Sequence, residues 1–161
     1  MVQKLYDDEK YYLQIDCHMR FCKDWDKILI ADLPCQKSII SCYPSGYELG
    51  ESDPVIDQQP LSMCFSHFSK EDGLPRFKSS LSPTNPFPFW AAGFSFSSGQ
   101  IIKQCPYENI PHVFFGEEHL QHYKFWLHGF SIISPPHPVC SHLWDRRHVC
   151  HSDHTLQSSA V

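Results

Sequence analysis

The chain has 161 residues, 42% hydrophobic and 14% aromatic, enough apolar content for one sizeable core and too much for a chain disordered throughout. With 13 Lys plus Arg against 18 Asp plus Glu and a formal net charge of -5, it lacks the basic stripe that a phosphate backbone requires, and nucleic acid is not an expected partner. No apolar run approaches the ~18 residues of a membrane-crossing helix, and the opening MVQKLYDDEK has no signal-peptide core, so no membrane span is predicted; a cytoplasmic location is expected from the cysteines, none of which forms a CxxC pair.

The first predicted element is a strand over 11–15 (YYLQI), aromatic at its start and β-branched at its end. Asp16 and His18 follow it one residue apart, directly ahead of Met19 and Arg20. Next, DWDKILIADLP places Trp25, Ile28, Leu29 and Leu33 on one helical face, with Asp24 as N-cap and Pro34 as the stop. KSIISCYPSGY reads as a strand over 38–43, broken by Pro44 and Gly46. Strand, helix and strand in succession predict an α/β unit whose two strands pair in parallel.

In LSMCFSHF, Leu61, Met63 and Phe65 alternate with Ser62, Cys64 and Ser66, the pattern of a half-buried strand, and KSSLSPTNPFPF reads as a surface loop. FWAAGFSFSSG sets Ala91, Ala92 and Gly93 beside aromatics. Little side chain there lets a ligand approach, and a tight strand bend accounts for the pattern equally well. FFGEEHLQHYKFWLHGF predicts a helix over 117–128, with Glu117 and Glu118 at its positive end, Gly129 as C-terminal cap and Leu120, Tyr123 and Leu127 on its buried face. SIISPPHPVCSHLWDRR gives a strand, a Pro-rich turn and then His142 ahead of Leu143 and Trp144; the polar, aperiodic tail 148–161 is expected to be disordered. Eight cysteines without a CxxC pair read as reduced thiols.

Ligands of α/β sheets collect beyond the carboxyl ends of strands, where Asp16 and His18 would sit. A carboxylate oxygen and an imidazole nitrogen suit a borderline-hard divalent ion such as Mn²⁺ when phosphate oxygens complete its shell. A surface turn explains the same D-x-H, and acidic residues favour helix N-termini by ~0.3–1 kcal/mol without any chemistry, which covers Glu117 and Glu118. Taken in order, however, QIDCHMRFCKDWD, SIISCYPSGY, GLPRF, FWAAGFSFSSG, FFGEEHLQHYKFWLHGFSIISP and VCSHLWDR closely resemble the catalytic core of the GlcNAc-transferase family that includes the hydroxyproline N-acetylglucosaminyltransferases acting on a ubiquitin-ligase adaptor. The likeness runs from about Tyr11 to Arg146 and is similar in logic to the polypeptide GalNAc-transferases.

What the resemblance implies is a GT-A-type, Rossmann-like α/β domain with a mixed sheet and flanking helices, transferring GlcNAc from UDP-GlcNAc to a protein hydroxyl with retention. It matches Asp16, His18 and His142 to the ligands of an Mn²⁺ or similar divalent cation, Glu117 and Glu118 to acidic residues facing sugar and acceptor, and Trp90, Ala91, Ala92 and Gly93 to the wall of the sugar pocket. Arg20 is placed to pair with phosphate or to make a structural salt bridge. The family's N-terminal, uridine-binding half has no counterpart before Tyr11, so residues 1–147 are expected to be the C-terminal portion of such a domain, with weak donor affinity, an unpaired sheet edge and poor solubility. Two rivals stand beside this reading: a catalytically inactive, partner-binding remnant, and a zinc-binding interaction module of Cys140, His142, His148, Cys150, His151 and His154.

Overall fold

The structure, a computed structural model, describes residues 2–48, 50, 59, 61–81, 88–108 and 116–144. The tail 148–161 and the 82–87 part of the Ser/Pro-rich segment lie outside the described residues. After a 3-10 turn at Val2–Leu5 come β1 (Tyr11–Ile15), β2 (Met19–Phe21), α1 (Trp25–Asp32), β3 (Ser38–Ser41), β4 (Ser45–Gly46), β5 (Ser62–Phe68), β6 (Pro75–Ser80), β7 (Phe94–Ser98), α2 (Ile101–Gln104), α3 (Glu117–Leu127), β8 (Ser131–Ile133) and β9 (Cys140–His142). Lys78–Ser80 of the expected loop thus belong to a strand.

The main sheet has the order β1-β7-β3-β8. β7 runs antiparallel to both β1 and β3, and β3 pairs in parallel with β8, so the sheet is mixed and the fold α/β. The strand–helix–strand unit does not pair its own strands as expected, because β7 lies between them. The residues of β7 fit a central strand covered on both faces: Phe94 and Phe96 alternate with Ser95 and Ser97, and all are buried.

Each face of this sheet carries its own core. Ile40, Phe94 and Phe96 pack with Leu29 of α1, Cys42, Val139 and Cys140. On the opposite face Ile39 packs with Trp90, Ile101 and Ile102 of α2, Cys105, Phe125 of α3 and Phe130. Adjacent isoleucines in β3 therefore serve opposite layers, as a strand covered on both faces demands. A second sheet, β2-β9-β4, lies against the end of β1, and β5 with β6 forms a separate hairpin carrying a bulge between Phe65 and His67. Among the described residues no helix is long and apolar enough to cross a membrane, and the seven described cysteines are free thiols.

Two local expectations are corrected. Asp24 sits at the start of α1 in the left-handed region (φ 58, ψ 24) and makes no side-chain cap; its carboxylate pairs instead with Lys27 at 2.7 Å. In α3 the buried residues are Gln121 and Phe125, while Leu120, Tyr123 and Leu127 are 37%, 55% and 56% exposed. A one-residue offset turns a helix by ~100°, and here the decision falls to contacts the periodicity cannot show. Phe125 meets Trp90 edge-on at 5.4 Å, and Gln121 Nε2 donates to the carbonyl of Cys105 at 2.8 Å. We expect Phe125→Ala to cost about 3–5 kcal/mol and Leu127→Ser no more than about 0.5 kcal/mol in denaturant unfolding; equal costs would reverse this assignment of faces.

Candidate active site

Three segments bring together the predicted metal-side residues. Asp16 leaves β1 with its backbone N–H donating to the carbonyl of Gly93 at 2.9 Å, which extends the β1–β7 ladder by one step and projects the carboxylate outward. A Cβ at Gly93 would lie 2.8 Å from Asp16 Oδ2, so a larger residue there would push the carboxylate from its present position. β9 sets His142 opposite Met19, and its Nε2 comes to 3.7 Å from Asp16 Oδ2. The carbonyl of His18 accepts from Leu143 N–H at 3.1 Å, and its ring stands edge-on to that of His142 with centroids 6.2 Å apart.

The His18 imidazole lies against its neighbour, Nδ1 being 3.1 Å from Cys17 Sγ. Among the described residues no three His, Cys, Asp or Glu side chains close to the geometry of a metal centre. The donor chemistry of Asp16, His18 and His142 nevertheless suits a divalent cation, one carboxylate and two imidazoles sharing an open edge that Gly93 keeps clear. Trp144 braces His142, its ring 4.3 Å away and its Nε1 donating to the carbonyl of Pro44 at 3.1 Å.

Glu118 and the 90–93 segment form a second, tightly bonded group. Glu118 Oε1 accepts from Ala92 N–H at 2.9 Å, and Oε2 accepts from the Tyr43 hydroxyl at 3.0 Å. Gln14 Nε2 donates to the Ala92 carbonyl at 2.9 Å and to the Tyr107 hydroxyl at 2.8 Å. Burial raises the Glu118 carboxyl above its ordinary range, and the bonds from Ala92 and Tyr43 only partly offset this. Burial likewise raises the Tyr43 phenol, with the Glu118 charge adding to it. Burial raises the Tyr107 phenol, and the nearby Glu117 carboxylate adds to it.

The predicted sugar wall divides. Trp90 is 1% exposed with Nε1 donating to Ser95 Oγ at 2.9 Å, and Ala91 is fully buried on the hydroxyl of Ser41, so both belong to the core. Ala92 and Gly93 alone reach the surface, at the lip between Glu118 and Asp16. Arg20, on β2, lays its guanidinium over the Tyr47 ring at 4.4 Å. In the zinc-module reading, Cys140 is part of the core and burial pushes its thiol up to about 12, which opposes the thiolate a zinc ligand must be; His148, Cys150, His151 and His154 lie outside the described residues.

Residues not anticipated from the sequence are Gln14, Tyr43 and Trp144. Gln14 had a visible signal, a polar side chain inside an apolar strand; Tyr43 and Trp144 had none beyond lying within the quoted blocks.

A family model described as Glycosyltransferase (GlcNAc) matches residues 1–155. The chain belongs to this glycosyltransferase family, whose members join a sugar donor to an acceptor. Comparison with curated proteins and with solved structures gives no match.

The raised Glu118 carboxyl makes stability depend on pH. The folded chain keeps this proton where the unfolded chain has lost it, so stability falls as pH rises from the ordinary carboxylate value of about 4.3 through the raised one. Glu118→Gln is expected to flatten that fall, read as the unfolding free energy against pH; an unchanged slope would show that Glu118 titrates normally.

Proposed function

We propose that the chain is a retaining transferase of GT-A type that moves GlcNAc from UDP-GlcNAc to a protein hydroxyl, with hydroxyproline the leading acceptor. The observation that carries this reading is the continuous connection from Asp16 through Gly93 and Ala92 to Glu118, which joins a cation-type edge to a buried carboxylate across a two-residue lip.

In this reading Asp16, His18 and His142 hold a divalent cation such as Mn²⁺, for which His18 turns from Cys17 toward Asp16. When bound, the ion offsets the charge that grows on the departing diphosphate. Arg20, its aromatic support fixed at Tyr47, adds positive charge on the same side. Ala92 and Gly93 let the sugar come against backbone, and Glu118, held by two donors, keeps that backbone in place while Glu117 stands beside Tyr107.

The acceptor oxygen forms its bond to C1 of GlcNAc on the face from which the β-phosphate oxygen departs. The C1–O bond to UDP breaks with its electron pair going to that oxygen, which also receives the acceptor's proton. No protein base is required. A transferase-derived chain without turnover is favoured by one observation, the contact of His18 with Cys17, and the same experiment separates the two.

Calorimetric titration of UDP-GlcNAc is expected to show binding that depends on Mn²⁺ and weakens by at least about tenfold, roughly 1.4 kcal/mol, in Asp16→Ala. Binding indifferent to Mn²⁺ or to Asp16 would overturn the donor site as drawn, and donor binding without transfer to any hydroxyl acceptor would favour the inactive form. Gly93→Ala is expected to displace the Asp16 carboxylate and weaken Mn²⁺ binding about tenfold or more with the fold retained by circular dichroism; undiminished Mn²⁺ affinity would separate Gly93 from the cation edge.

A further inference from the structure

β1 is an end strand of the main sheet, and its outer side faces no other strand among the described residues. Two bonds at its ends fix which way its backbone groups point. Asp16 N–H donates to the carbonyl of Gly93 and Gly99 N–H donates to the carbonyl of Lys10, so residues 10 and 16 turn their groups toward β7. Alternate residues of a strand turn opposite ways, which leaves the N–H and C=O of Tyr11, Leu13 and Ile15 directed outward. We infer that this edge is the interface of a two-fold dimer, in which β1 pairs antiparallel with β1 of a second copy about an axis through Leu13. The inference does not depend on the transferase reading.

Register and charge select a second copy as the occupant. With Leu13 opposite Leu13, each exchanges both backbone bonds with the other, and Tyr11 does the same with Ile15 at either end, so every outward group of the strand is used. A self-complementary contact of this kind closes at two chains. Tyr11–Ile15 holds no charged residue and no proline, and it is bracketed by Lys10 and Asp16, both exposed. In the register about Leu13, Lys10 of each copy stands opposite Asp16 of the other, and these opposite charges attract at both ends of the pairing. A parallel, in-register pairing would set Lys10 beside Lys10 and Asp16 beside Asp16, which repel.

Shape agrees. A groove of about 200 Å³ touches Tyr11 and Leu13, which pack toward the core under α1, and also Tyr12 and Ile102, which belong to the opposite core. It therefore runs along the edge between the two faces. Exposed Leu5 lines the groove, and Ile15, the exposed residue at the end of the strand, comes opposite Tyr11 of the other copy, apolar against aromatic. β8, at the other end of the sheet, offers no such edge: it is three residues long and runs into Pro135 and Pro136.

The test uses the whole chain in buffer free of divalent cations and of donor, so its outcome is separate from that of the donor site. Sedimentation velocity from micromolar to millimolar chain is expected to show a monomer–dimer equilibrium. Amide hydrogen exchange followed by NMR is expected to show protection of Tyr11, Leu13 and Ile15 that rises with concentration, while Tyr12 and Gln14 are protected throughout. Lys10→Glu and Asp16→Lys should each weaken the dimer about tenfold, and the two together should restore it to within about threefold. A chain that stays monomeric, open-ended assemblies in place of a dimer, or a dimer whose three outward amides exchange at the monomer rate would each overturn the inference. Single charge reversals that leave the dissociation constant unchanged would overturn the pairing about Leu13. The exchange pattern of the unaltered chain decides the matter even where a variant does not fold.

Discussion

The backbone of residues 91–93 is the constraint on which the site depends. This turn enters β7 between the two cores, and the polar groups of Ala91 and Ala92 are met by side chains from other elements. Ser41 accepts from Ala91 N–H at 2.8 Å and donates to the carbonyl of Phe94 at 2.8 Å. Glu118 takes Ala92 N–H, Gln14 gives to the Ala92 carbonyl, and the Gly93 carbonyl receives Asp16 N–H. Strands β1 and β3, the turn before β7 and helix α3 are thereby fixed relative to one another by a few short bonds rather than by area alone.

Those bonds also sort the chemistry by side. Toward β9 the lip presents the Asp16 carboxylate and the imidazoles of His18 and His142. Toward the hairpin stand the stacked rings of Phe77 and Phe89, with Arg76 paired to Asp72. Glu118 is the boundary between them. Its burial makes its charge costly, and the Tyr43 hydroxyl and Ala92 N–H are what hold that charge in place when it is present.

Packing explains why this arrangement tolerates so many polar groups. Trp90, Phe94, Phe96 and Phe125 supply large apolar surfaces, while Ser41, Ser95 and Ser97 are small enough to sit beside them and still find backbone or indole partners. Trp90 illustrates the point: one face of its ring meets Phe125, and its indole N–H is spent on Ser95. A residue placed so deeply supports the lip from beneath.

The sequence by itself determined the strand at Tyr11–Ile15, the helix from Trp25 and the helix from Glu117, because each is set by alternation, periodicity and end signals within a dozen neighbours. Ordered blocks around Asp16, Glu117 and His142 likewise pointed to the glycosyltransferase family that the match over residues 1–155 establishes. Tertiary structure alone decided that β7 separates β1 from β3, that Leu120, Tyr123 and Leu127 face outward, that Trp90 and Ala91 are core, and that Tyr43 holds Glu118 beside Phe77. Each of these depends on partners distant in the chain, such as Gly93 and Asp16 or Tyr43 and Glu118, and local patterning carries no record of which distant groups will satisfy a buried bond.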